Sequence, residues 1–361
     1  MRLIKAGCFC WLSLLGLGAA TYLLHRFGVV NAWQLPLKPV AAFLIGSGLV
    51  CWLLAGLLAA LRSRRRLLQL ILGLVVAVNA IAGLFAYSLT HVRSPGQSGI
   101  GIPKPLNAKR PSDAGLSYTT HRIPLADSEW LEAWQVPAQG TAPQGTVLLF
   151  PGHLGTKGSQ LLSTARSFSQ LGYDTFMVDF RGVGGSSGNT ITLGMGEAKD
   201  VAAAVDYVQQ QNHQSPIVLY GVSMGSAAIL RAIALEQVQP DAIILELPFA
   251  RMVDAVKSRL RYANIPPSPT AELLVFWGGL QHGFNGLAHN PVTYAKAVRC
   301  PVLLVHGQQD PWTSDAEIEE IFANLPEPKQ LVVSPEAGHH QLIGVDGQQW
   351  HRSIRQFLAS I

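Results

Sequence analysis

Residues 217–236 read IVLYGVSMGSAAILRAIALE, and three signals meet in this stretch. Ile217, Val218, Leu219 and Tyr220 form the short unbroken apolar run that a strand buried on both faces requires. The run SAAILRAIALE at 226–236 has helical character. Between them lies Gly221-Val222-Ser223-Met224-Gly225, a G-x-S-x-G in which a strand passes into a helix through one sharp turn. Such a turn exposes the serine hydroxyl, and small neighbours relieve its crowding. A second G-x-S-x-G, Gly184-Gly185-Ser186-Ser187-Gly188, sits in a glycine-rich loop with no helix directly after it. Ser186 therefore reads as loop and Ser223 as the candidate nucleophile.

Working outward, further strand-length runs lie at 146–150 (TVLLF), 175–180 (TFMVDF), 242–247 (AIILEL) and 302–306 (VLLVH). Helical stretches such as GEAKDVAAAVDYVQQ at 196–210 alternate with them. That alternation predicts an α/β domain around a mostly parallel sheet. In such sheets ligands bind beyond the carboxyl ends of the strands. A serine hydroxyl needs a general base, and the base needs an acid to orient it. In this type of domain they follow in the order Ser, Asp or Glu, His. VLLVH ends in Gly307-Gln308-Gln309-Asp310, and QLVVS at 330–334 leads into Ala337-Gly338-His339-His340. The expected set is Ser223, Asp310 and His339, with His340 as the alternative base.

In these pieces, taken together, residues 117–361 resemble an α/β-hydrolase of the serine-aminopeptidase and monoacylglycerol-lipase-like branch, including its membrane-anchored Bem46-like members. The resemblance rests on FPGHLG at 150–155, DFRGVGGSSG at 179–188, GVSMG at 221–225, ELPF at 246–249, HGQQDPW at 306–312 and AGHH at 337–340. It implies Ser223 as nucleophile, Asp310 as acid and His339 as base. It also implies an oxyanion hole made by the backbone N–H groups of His153 and Met224. Pro151 departs from the histidine commoner at its position. Asp179 and Arg181 are expected to support the loop at 182–188, and 251–298 is expected to form a lid. The lid segment carries Leu273, Leu274, Val275, Phe276, Trp277, Leu280 and Phe284.

The 361 residues hold 27 Lys and Arg against 22 Asp and Glu, a net charge of +5, and only 14% are charged. Residues 1–90 contain Arg2, Lys5, Arg26, Lys38, Arg62, Arg64, Arg65 and Arg66 and no acid. They carry +8, which leaves −3 on 91–361. The basic residues only punctuate charge-free apolar runs at 6–24, 40–61 and 67–89, each about the length that crosses a bilayer. Three transmembrane helices are expected, with a cleaved signal peptide as the alternative for the first. The arginines at 62–66 place their loop in the cytoplasm and the region after residue 90 outside it. A nucleic-acid partner is excluded, because these charges form no basic face. The acidic remainder gives no compositional reason to favour acidic substrates.

Residues 90–116, rich in Pro and Gly, read as a linker. With four cysteines in all, a disulfide-rich scaffold is excluded. GHLGTKGS at 152–159 has its lysine misplaced for a phosphate loop, and no metal-ligand spacing is present. No cofactor or metal is expected. The chain thus reads as a membrane-anchored serine hydrolase acting on a small-molecule ester or lipid through an acyl-enzyme. A peptidase, aminopeptidase or acyltransferase with the same triad is the alternative, and a non-catalytic membrane scaffold the second.

Overall fold

A computed structural model describes residues 64–140, 142–211 and 215–361. The expected spans at 6–24 and 40–61 lie outside the described residues. The chain divides into two units, Met1–Leu84 and Phe85–Ile361. In the described part of the first unit, helix α1 (Arg64–Thr90, whose last turns belong to the second) is the single helix long and apolar enough to cross a membrane, over Leu67–Thr90. Leu68, Leu72, Val76 and Ile81 are each more than half exposed, an apolar surface that water does not suit.

The second unit is built on an eight-stranded sheet in the order β10-β9-β8-β7-β5-β6-β4-β3. Its strands are β3 (Thr119–Pro124), β4 (Trp130–Val136), β5 (Thr146–Phe150), β6 (Asp174–Val178), β7 (Ile217–Val222), β8 (Ala242–Glu246), β9 (Val302–Gly307) and β10 (Lys329–Ser334). Pairing is parallel from β6 through β10. It is antiparallel where β4 meets β3 and β6. The central strands β5, β7, β8 and β9 are buried at every position, as their unbroken apolar runs require. Along β7, Ile217 and Leu219 enter one core while Val218, Tyr220 and Val222 enter the other. This period-2 alternation fixes the register of the layers on both faces.

The helices covering the sheet are α2 (Leu162–Gln170), α3 (Glu197–Gln211), α4 (Met224–Leu235), α8 (Asp315–Asn324) and α10 (Gly347–Leu358), the last following the single turn α9 (Leu342–Val345). In α10 the buried residues are Trp350, Ile354, Phe357 and Leu358, the i, i+4, i+7, i+8 stripe of an amphipathic helix. Its first turn is capped by the Asp346 carboxylate, which accepts from Gln349 N at 3.0 Å. Between β8 and β9 the chain inserts α5 (Met252–Tyr262), α6 (Thr270–Gln281) and the short α7 (Pro291–Tyr294).

The structure differs from the sequence reading at 90–116. Val92–Arg93 (β1) and Ile102–Pro103 (β2) pair in parallel. Val92 N donates to Asn189 O at 2.7 Å, Gly184 N to Pro105 O at 2.8 Å, and Gly158 N to Asn107 Oδ1 at 2.8 Å. Pro and Gly exclude long regular elements here, but at these points the segment is hydrogen-bonded to the domain. The segment is a docked strap.

Candidate active site

Ser223 follows β7 directly and caps the start of α4 with φ 52° and ψ −108°. A non-glycine residue rarely adopts this backbone, and the surrounding packing holds it there. A Cβ on Gly221 would stand 2.5 Å from Gly225 C. One on Gly225 would stand 2.5 Å from Phe150 O and 2.9 Å from Pro151 O. Both glycines are therefore required, because strand, turn and the loop after β5 approach within a backbone's width. Ser223 N donates to Glu246 O at 2.8 Å, and Ser226 Oγ donates to Gly221 O at 2.7 Å.

Asp310 lies just past β9 and His339 just past β10. His339 Nε2 is 3.0 Å from Ser223 Oγ and its Nδ1 is 2.6 Å from Asp310 Oδ2. The other Asp310 oxygen accepts from Trp312 N at 2.8 Å and Thr313 N at 3.2 Å, so this fully buried carboxylate is satisfied on both sides. The Trp312 ring packs on the imidazole, centroids 4.6 Å apart. His340 is exposed and makes neither contact. Gly307 brings the two loops together: a Cβ there would lie 2.4 Å from Ala337 O.

The loop after β5 passes close to the serine, since a Cβ on Gly152 would stand 3.5 Å from Ser223 Cβ. Gly152 N donates to Gln160 Oε1 at 2.8 Å. The backbone N–H groups of His153 and Met224 donate to no acceptor among the described residues. Burial, with the charge of Arg259 second, holds the His153 side chain neutral down to about 4. Among the described residues no group of three His, Cys, Asp or Glu side chains converges as a metal site would.

Ser186 is buried and structural. Its Oγ donates to Asp179 O at 2.6 Å and accepts from Glu132 N at 2.9 Å. Asp179 accepts from Lys157 N at 2.8 Å and Gly185 N at 3.0 Å. Its carboxylate also pairs with the Lys157 ammonium, and both side chains are fully buried. Arg181 binds Asp200 at 2.7 Å and Glu129 at 3.1 Å. Asp179 thus holds the loop at 182–188 through Gly185 N, while Arg181, the residue before that loop, is fastened to α3 and to Glu129. Lys157, which joins Asp179 to Glu132 at 2.8 Å, was not singled out by sequence reasoning. Its only signal was the misplaced lysine of GHLGTKGS.

The pattern of the serine aminopeptidase S33 family matches residues 141–277. The solved Pyrococcus furiosus esterase Pf2001 superposes with a TM-score of 0.61 at 21% identity, over 72% of this chain and 96% of that one. The domain is an α/β-hydrolase. The family match and the relatives below support the serine-aminopeptidase and monoacylglycerol-lipase-like branch and an esterase- or lipase-like hydrolase. It is 24% identical over 306 residues to the uncharacterized protein YqkD of Bacillus subtilis, covering 81% of this chain and 97% of that protein. It is also 24% identical over 240 residues to the lysophosphatidylserine lipase ABHD12 of Mus musculus. The hydrolase spans 58% of that lipase's length.

Proposed function

We propose that the chain is a membrane-anchored serine hydrolase that cleaves a carboxylic ester, of the lysophospholipid or monoacylglycerol kind, through an acyl-enzyme. The observation that carries this reading is the relay from Asp310 through His339 to Ser223, at 2.6 and 3.0 Å. In the proposed cycle Ser223 Oγ attacks the ester carbonyl while His339 Nε2 takes its proton. Asp310 holds the ring with Nδ1–H directed at the carboxylate and stabilises the imidazolium that forms. The N–H groups of His153 and Met224 receive the developing oxyanion, a role worth roughly 3 kcal/mol per donor. His339 then protonates the leaving alcohol, and a water activated by the same imidazole hydrolyses the acyl-enzyme.

A lipid substrate is favoured by the insertion at 251–298, read as the lid. Ala86, Leu260, Ala271 and Leu274 form one apolar cluster that includes Phe85 and Leu89. The residues ending the apolar stretch Leu67–Thr90 thus pack against α5 and α6. Phe276 and Leu280 on α6 remain about half exposed. The arginines at 62–66 orient the anchor with the hydrolase unit outside the cytoplasm. A reporter fused after residue 115 should accordingly be active only on the non-cytoplasmic side, and cytoplasmic activity would reverse the orientation.

Fluorophosphonate labelling tests the chemistry. Wild type and Ser186→Ala should label while Ser223→Ala should not. Labelling that survives Ser223→Ala, or is lost only in Ser186→Ala, removes this assignment. Substrate profiling with matched esters and peptide amides separates the esterase from a peptidase.

A further inference from the structure

Arg259, on the inserted helix α5, reaches into the corner that holds the relay. Its guanidinium carbon stands 4.7 Å from the centre of the Trp312 ring, which packs at 4.6 Å on His339. Nη1 donates to Ala255 O at 2.8 Å. Two arginines of the domain meet carboxylates, Arg181 with Glu129 and Asp200, and Arg251 with Glu320; Arg231 instead donates to Tyr294 Oη at 2.8 Å. Arg259 has no carboxylate at ion-pair distance among the described residues. The nearest influence of that sign is Asp310, already bound to His339 and two backbone N–H groups. Burial lowers the affinity of Arg259 for its proton, and its charge in turn is felt by His153 on the loop after β5. A second donor here also lacks a partner. Trp312 Nε1 is buried with no acceptor among the described residues.

A half-buried guanidinium with no carboxylate at hand keeps donors free for an anion, and a buried N–H without an acceptor is costly. Packing alone does not account for two such groups on adjoining side chains beside a nucleophile. An incoming oxyanion would satisfy both, and guanidinium is the cation best shaped to hold phosphate or carboxylate through paired hydrogen bonds.

We propose that Arg259, assisted by Trp312 Nε1, binds an anionic group of the ester substrate, a phosphate or a carboxylate, and so makes the site selective for anionic over neutral esters. This rests on the ester-hydrolase reading above and names its substrate class. It also reverses the expectation from net charge: the domain is acidic as a whole, yet the corner beside its nucleophile is cationic.

The test compares 1-octanoylglycerol, its 3-phosphate and the octanoyl ester of glyceric acid on the detergent-solubilised full chain at fixed ionic strength. Wild type should show a kcat/KM at least tenfold higher for one or both anionic esters than for the neutral one. The two anionic arms tell phosphate from carboxylate. Arg259→Gln should cut the anionic-to-neutral ratio by roughly tenfold or more, as loss of a charge-assisted hydrogen bond implies. Arg259→Lys should recover part of it. Trp312→Phe, which keeps the ring and removes only the N–H, should lower the same ratio and serves if Arg259→Gln does not fold. A wild type without preference, or a ratio unmoved by these changes, overturns the proposal while leaving the hydrolase reading intact. Failure to cleave any of the three esters removes both.

Discussion

Glu246, at the end of β8, accepts a hydrogen bond from the backbone N–H of Leu342, just beyond His339. The same carboxylate accepts from Tyr220 Oη on β7, and Gln341 Nε2 donates to that phenol oxygen at 3.1 Å. Glu246 O meanwhile accepts from Ser223 N. One residue on one strand thus ties the turn at Ser223 to the loop that carries His339. Its carboxyl is fully buried, which raises its pKa, and the hydrogen bonds of Tyr220 and Leu342 oppose that rise.

Replacing Glu246 with Leu leaves the Tyr220 hydroxyl and the Leu342 N–H without their acceptor. Each unsatisfied buried donor costs about 1–3 kcal/mol, so for the two a loss of roughly 2–6 kcal/mol is expected in urea unfolding. Glu246→Gln preserves an acceptor and the shape and should lose less. In both variants fluorophosphonate labelling should slow more than binding weakens, because the loop carrying His339 is released. A labelling rate unchanged in a destabilised Glu246→Leu would make the residue purely structural.

Gly225→Ala probes the turn itself. The added Cβ would stand 2.5 Å from Phe150 O and 2.9 Å from Pro151 O, and backbone rather than a flexible side chain would have to move. That movement separates the N–H groups of His153 and Met224. On the proposed function these two groups are the oxyanion donors; loss of one such donor lowers kcat by about 10²–10³-fold, and a loss of that order is expected with the sheet retained. Circular dichroism and single-turnover kinetics read the two parts separately.

Much of the site was legible because each candidate residue stands just past a short apolar strand. Ser223, Asp310 and His339 could be placed at one sheet edge without knowing the strand order. His339 and His340 are adjacent and chemically identical, so the sequence prefers His339 only through the resemblance, and the geometry sets His339 against Ser223 and Asp310. Lys157 was illegible for a different reason. Its partners are Glu132 on β4 and Asp179 just past β6, and no local pattern announces a buried ion pair formed at long range. Arg259 was hidden in the same way, since its helix is amphipathic in sequence and its stacking on Trp312 depends on how the insertion folds back. The strap at 91–116 shows a limit of composition, which reports the absence of regular structure but not whether a segment is docked.

The buried ion pair makes its own prediction. Lys157 and Asp179 have fully buried side chains, and removing one partner strands the other's charge. Lys157→Met should destabilise the domain by about 3–5 kcal/mol. Asp179→Asn should also release the loop at 182–188, since Gly185 N and Lys157 N both depend on that carboxylate. Chemical denaturation measures the first effect, and hydrogen exchange at 182–188 the second. A Lys157→Met protein as stable as wild type would mean that the cluster is neutral in its net contribution.

Like His153, His289 contributes to the loss of stability in acid. It is buried between Phe249 and Tyr294, and its Nε2–H donates to Leu193 O at 3.0 Å. Burial, with the charge of Arg231 second, lowers its pKa to about 3 from the ordinary 6.5. The folded state therefore refuses a proton that the unfolded chain accepts. Stability is complete above pH 6.5 and is lost as the pH falls from there toward about 3. At pH 5 the loss from this residue is about 2 kcal/mol. His289→Gln keeps a donor for Leu193 O and removes the titration. Its unfolding free energy should fall less between pH 7 and pH 5 than that of wild type, by about 2 kcal/mol. Identical slopes in the two proteins would show that His289 stays accessible to protons in the folded state, which its packing between Phe249 and Tyr294 opposes.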